Sequence, residues 1–205
     1  MALFRYVLWG AVFALGAFLA FQTAVWTFNQ NSDNGSFGAA SIGGAFEALR
    51  DDGTPITHDA MTGNPHLVFF GFTHCPDVCP TTLAEVGSWM DKLGPQGEDL
   101  RAWFVTVDPT RDTPESLSLY LSPFDTRIDG ITGSQAQIDD MVRKWRVFAQ
   151  RQETGDGDYT MNHTASTFLM KSDGTFFGTI AYGENADTAV KKLQRLIAAD
   201  SAAKS

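Results

Sequence analysis

Residues Leu67–Thr82 read LVFFGFTHCPDVCPTT, and this stretch decides the fold. Leu67–Phe72 is apolar without a break, the pattern of a strand buried on both faces. Beyond it, Leu83, Val86, Met90 and Leu93 recur at helical spacing and mark one stripe of an amphipathic helix over Pro80–Leu93. Cys75 and Cys79 are the only cysteines in the chain. They therefore lie on the loop between a central strand and a helix N-terminus, at the strand end where open α/β sheets place their chemistry. Each precedes a proline, Pro76 or Pro80, which disfavours helical backbone at both cysteines. Pro80 suits a first helical turn, whereas Thr82 and Glu85 match a capping box that starts the helix two residues later. Either start brings the helix's positive end close to Cys79 and predicts a stabilised thiolate there.

Working outward, Phe46–Thr57 contains the turn Asp51-Asp52-Gly53 and reads as a short hairpin ahead of the main sheet. Ala102–Val107 is a second apolar strand running into DPTRDTP, Asp108–Pro114, where Thr113-Pro114-Glu115 opens a helix through Leu121. Ser134 and Gln137 form another capping box, and the helix they start buries Ile138, Met141, Val142 and Trp145. Gln152–Tyr159 reads as a polar loop delivering His163. Ser166–Met170 and Thr175–Ala181 are strands joined by a turn at Lys171-Ser172-Asp173-Gly174, and Asn185–Ala199 is a closing helix with Val190, Leu193 and Ile197 on one side. Strand, helix, strand, helix, short strand, helix, hairpin, helix, with cysteines after the first core strand, is an α/β thioredoxin-like fold with an N-terminal hairpin and inserted loops.

The N-terminal end differs in kind. Val7–Trp26 carries no charge and is long enough to cross a bilayer, with Arg5 before it and Tyr6, Trp9 and Trp26 placed as interfacial aromatics. A single transmembrane anchor is expected over residues 1–28, in preference to a cleaved signal peptide, because no Ala-x-Ala site follows the apolar run. A flexible tether rich in Asn, Ser and Gly follows over 29–44, then one domain over 45–200. The chain has 15 Lys and Arg against 24 Asp and Glu. No basic cluster suggests nucleic acid, and no long exposed apolar helix demands a dimer, so a monomer that binds no nucleic acid is expected.

Two thiols within one turn can form a disulfide, attack one or bind a soft metal. A bridge over three residues removes little entropy from the unfolded chain, so stability is a poor reason for the pair. A metal would need a third ligand from the four histidines. His74 adjoins Cys75 but points away if strand geometry persists, His58 lies in a polar loop, His66 starts the strand, and His163 ends the inserted loop. Met161 could face the site from two residues before His163, and Asp108 with Arg111 reads either as a loop-fixing pair or as a surface for a partner.

FGFTHCPDVCPTTLAE (Phe70–Glu85), VDPTRDTPE (Val107–Glu115), ITG (Ile131–Gly133) and NHTA (Asn162–Ala165) together resemble the Sco/SenC family of membrane-anchored, thioredoxin-like copper chaperones. The likeness runs from about Gly43 to Tyr182 with the motifs in order. It implies that Cys75, Cys79 and His163 bind copper, as Cu(I), Cu(II) or both. It implies delivery to the binuclear copper site of cytochrome c oxidase subunit II, with a further periplasmic copper chaperone and a thiol reductant as other partners. The location implied is the bacterial inner membrane with the domain in the periplasm, or the mitochondrial inner membrane facing the intermembrane space. One position departs from the pattern: Asn162 stands where the family usually has Asp, which bears on copper affinity and its pH dependence. A thiol–disulfide oxidoreductase using Cys75 and Cys79 as a redox pair is the alternative from another class. A zinc site on the same residues and a thiol peroxidase are weaker, the latter because Thr73 stands too close to Cys75.

Overall fold

The apolar run of the cysteine motif becomes the second innermost strand of a seven-stranded sheet. The computed structural model describes residues 42–155 and 157–204. The expected anchor over 1–28 and nearly all of the expected tether over 29–44 lie outside the described residues. Among those residues no helix is long and apolar enough to cross a membrane.

The strands are β1 (Glu47–Arg50), β2 (Pro55–Thr57), β3 (His66–Gly71), β4 (Arg101–Thr106), β5 (Ile128–Thr132), β6 (Ala149–Gly155), β7 (Asp158–His163), β8 (Thr167–Met170) and β9 (Phe176–Ile180). The helices are α1 (Val78–Lys92), α2 (Pro114–Leu121), α3 (Gln135–Lys144) and α4 (Ala186–Lys204). The main sheet runs β2-β1-β5-β4-β3-β8-β9, with β6 and β7 paired separately. β3, β4 and β5 are mutually parallel, joined by α1 and α2, while the flanking strands pair antiparallel. The short N-terminal hairpin thus does not merely precede the sheet but extends its edge, Leu49 lying opposite Thr132.

Every residue of β3 is buried, as an unalternating apolar run requires when both faces are covered. Its side chains divide between the two faces. Phe69 packs on Phe104, and Phe104 on Tyr120 of α2, with ring centroids 5.9 and 5.8 Å apart. Phe70 on the other face forms a triangle of rings with Trp145 and Phe168 at 5.6–6.1 Å. Trp145 is the C-cap of α3 and locks this helix to the second face.

Two local readings are corrected. The cysteine helix begins at Val78, ahead of both Pro80 and Thr82. Thr82 is buried inside it and donates its hydroxyl to the Val78 carbonyl, so the Thr82–Glu85 capping box does not form. The polar loop expected over Gln152–Tyr159 is a β-hairpin, with Gln152 opposite Thr160 and Ala149 opposite His163. The Ser134–Gln137 capping box is present as read.

Candidate metal centre

The end of β3 sets the geometry of the cysteines. After Gly71 the chain turns, Cys75 N–H donating to the Phe72 carbonyl at 3.2 Å, and enters α1 with Cys79 as its second residue. A helix leaves its first N–H groups unpaired. The Asp77 side chain caps none of them; instead the Cys79 N–H donates to Cys75 Sγ at 3.4 Å. The positive end of the helix therefore serves Cys75. Cys79, the residue expected to gain a stabilised thiolate, is 0 % exposed, and burial pushes its thiol well above the usual range. Desolvation outweighs the helix terminus because the sulfur lies beneath the first turn against Gly71 and not beyond it in solvent.

His163 reaches the same place from the far end of β7. Its ring stands edge-on to Phe72 and Phe69, with centroids 5.7 and 6.2 Å away, and its Nε2 lies 3.7 Å from Cys79 Sγ. Its Nδ1 lies 2.9 Å from the Thr164 carbonyl oxygen, which only accepts, so Nδ1 carries the proton. Burial lowers the imidazole's pKa and keeps it neutral. The lone pair is therefore on Nε2, facing Cys79, whose S–H donates to it. With Cys75 and His163, residues Phe72, Pro76, Met161 and exposed Phe148 line a cleft of about 270 Å³.

The other histidines stay apart. His74 is exposed and bonded to the Thr73 hydroxyl, His66 is buried at the start of β3 beside the Asn64 carbonyl, and His58 meets Phe46 edge-on. Asn162 points to the opposite face of β7 from His163 and donates to Gln152 across the hairpin at 2.6 Å. It therefore takes no part in orienting the imidazole; the Thr164 carbonyl does that. Asp108 and Arg111 are a pair, both largely buried, and the loop-fixing reading holds for them.

Asp112 was not legible as a site residue. Fully buried, it accepts from the backbone and hydroxyl of Thr73 at 3.1 and 2.6 Å and from the Thr106 hydroxyl at 2.6 Å. Burial still raises its pKa despite these donors. It ties the loop in front of Cys75 to the end of β4. The signal that could have found it is the second Asp of the DPTRDTP run, an acid too close to a strand end to be solvated.

Among the described residues no three His, Cys, Asp or Glu side chains already converge on one point at ligand distance. The donor set nevertheless suits a soft ion. Metal–sulfur and metal–nitrogen bonds of about 2.3 and 2.0 Å at a tetrahedral or trigonal angle separate S from N by about 3.5–3.7 Å. The Cys79–His163 separation of 3.7 Å already matches this. A ligating histidine normally donates its other N–H to a carbonyl or carboxylate, which His163 does.

The SCO1/SenC family model matches residues 34–198. A mitochondrial SCO1 homologue of Arabidopsis thaliana is 35% identical over 187 residues, 86% of this chain and 55% of its own length. A SCO2-like protein of Rickettsia conorii is 38% identical over 66% of this chain and 67% of its own. The chain thus spans little more than half of the Arabidopsis relative and two thirds of the rickettsial one. Among solved structures, Bradyrhizobium japonicum ScoI with copper bound superposes with a TM-score of 0.70 at 40% identity, over 76% of this chain and 99% of that one. Yeast Sco1 with copper bound gives 0.70 at 32% identity, over 76% and 87%.

Proposed function

This chain belongs to the SCO1/SenC family, and from that premise we propose that it is a copper metallochaperone whose ion is held by Cys75, Cys79 and His163. The observation that carries the reading is the pairing of Cys79 Sγ with the lone-pair nitrogen of a neutral histidine delivered from a separate hairpin. Two thiolates and an imidazole supply soft and borderline donors suited to copper in either oxidation state. Loading requires reduced cysteines, and both are free thiols here. Cys79 gives up its proton as the ion takes the place of the S–H···Nε2 bond, so binding releases at least one proton to solvent. His163 keeps its Nδ1 proton on Thr164 throughout. The burial of Cys79 protects the ion from below, while the cleft beside Cys75 and His163 leaves one side open for exchange with a recipient.

The recipient proposed is the binuclear copper site of cytochrome c oxidase subunit II, with the domain tethered to a bacterial inner membrane in the periplasm or to its mitochondrial counterpart. Copper bound in the two similar structures described above supports the cargo, and the mitochondrial names of several matching relatives support the location; the recipient rests on the family resemblance.

A thiol–disulfide oxidoreductase is the second reading, favoured by the unequal surroundings of the cysteines. Cys75 is partly exposed and receives the helix N–H, as an attacking sulfur should, and Cys79 is buried behind it, as a resolving one should be. Titrating the reduced chain with Cu(I) against a competing chelator, beside the Cys75→Ser, Cys79→Ser and His163→Ala variants, separates the two. One equivalent bound by the wild type and a loss in every variant supports the chaperone. Equal weak binding by all four proteins, with disulfide exchange intact in His163→Ala, supports the oxidoreductase.

A further inference from the structure

We propose that Arg111, acting with Asp108 and Tyr159, is a positioning residue that holds the His163 hairpin against the cysteines. The inference rests on the copper-site reading above and identifies what fixes its third ligand.

The hairpin β6–β7 shares no strand pairing with the main sheet, and β6 is exposed along nearly its whole length. An element with so few buried contacts opens easily unless something pins it. Arg111, on the loop after β4, supplies the pin. Its Nε donates to Asp108, its Nη1 donates to the Tyr159 carbonyl at 3.0 Å, and its guanidinium lies 3.7 Å from the centre of the Tyr159 ring. The Tyr159 hydroxyl closes the cycle by donating to Asp108 Oδ1 at 2.9 Å. Tyr159 and His163 share a face of β7, four residues apart.

The anchor of this cycle also holds the cysteine loop. Asp108 N–H donates to the Thr106 hydroxyl, that hydroxyl donates to Asp112, and Asp112 accepts from Thr73, two residues before Cys75. One polar network thus runs from the cysteine loop to the histidine strand. The two halves of the site, 84 residues apart in sequence, take their spacing from the 106–112 loop.

The test is a double-mutant cycle on the full-length, reduced chain, with Cu(I) competed against bicinchoninate at fixed pH. Arg111→Gln is expected to weaken Cu(I) binding about tenfold to a hundredfold, the usual cost of losing support behind a ligand. In a His163→Ala background it is expected to change nothing further. Tyr159→Phe, which removes one hydroxyl, is expected to act in the same direction more weakly. The same fold-loss from Arg111→Gln with and without His163, or no loss at all, would overturn the proposal.

A second readout uses no metal: iodoacetamide labelling of Cys79 in the apo chain, resolved by peptide mass spectrometry. Arg111→Gln is expected to speed Cys79 labelling about tenfold or more, while Ser134→Ala, a cap deletion on α3, leaves it unchanged. If Cu(I) binding ignored Cys75, Cys79 and His163 altogether, the copper reading would have failed on its own terms. The labelling would then decide alone, and an unchanged Cys79 rate in Arg111→Gln would overturn the clamp.

Discussion

Cys75 and Cys79 are separated by three residues and meet opposite physics. The first sits at the mouth of α1 and accepts its N–H; the second is sealed against Gly71 and Phe104. The cysteine pair and His163 were legible because residue type and motif point to them. Which sulfur the helix serves was not, since it depends on where α1 starts. Gly71 is required by this arrangement: a Cβ there would lie 2.6 Å from Phe104 Cε2 and 2.9 Å from Cys79 Sγ. Gly71→Ala is expected to destabilise the fold by about 1–3 kcal/mol and to weaken Cu(I) binding, as chemical denaturation and chelator competition would measure. An unaltered unfolding midpoint would contradict the packing described. His66 gives the pH dependence. Burial lowers its folded pKa below the unfolded value, so its neutral form is favoured by folding. That stability is complete above about pH 6.5 and is lost as pH falls toward the folded pKa, by up to about 1.4 kcal/mol per pH unit. His66→Phe is expected to lose less stability than wild type between pH 7 and 5; an identical loss would sink the assignment.

Among the elements, those built on apolar periodicity were readable and the one built on polar contacts was not. β3, β4 and α1 announce themselves through unbroken or striped apolar residues. The β6–β7 hairpin carries Gln, Arg, Glu, Gly and Asp on exposed positions, and what holds it is Arg111 from a distant loop, a contact no local pattern encodes. The start of the hairpin shows a further compromise. α3 ends in a Schellman motif, Arg146 N–H donating to Arg143 O and Val147 N–H to Val142 O, and Arg146 occupies the left-handed position at φ 54° where glycine is usual. Arg146→Gly is expected to stabilise the chain by up to about 1 kcal/mol, read from denaturant unfolding. A loss of stability would show that the arginine side chain contributes more than its backbone costs.

For the whole molecule, the sheet order brings the carboxyl ends of β3 and β4 together, and the loops that leave them carry the cysteines and the Asp108–Asp112 segment. The fold class followed from element order, but the closure of the site by a hairpin outside the sheet is a tertiary fact. Because the site and its support lie within residues 66–164, a chain lacking residues 1–28 is expected to stay soluble and bind Cu(I) as the full chain does; precipitation or lost affinity would relocate the domain boundary. The central claim is that two sulfurs from one loop and one nitrogen from a separate hairpin hold a single copper ion. X-ray absorption at the copper edge of the Cu(I)-loaded chain tests it most directly. The account predicts two sulfur scatterers and one imidazole nitrogen in wild type, with the nitrogen missing in His163→Ala. A spectrum that His163→Ala leaves unchanged would contradict it.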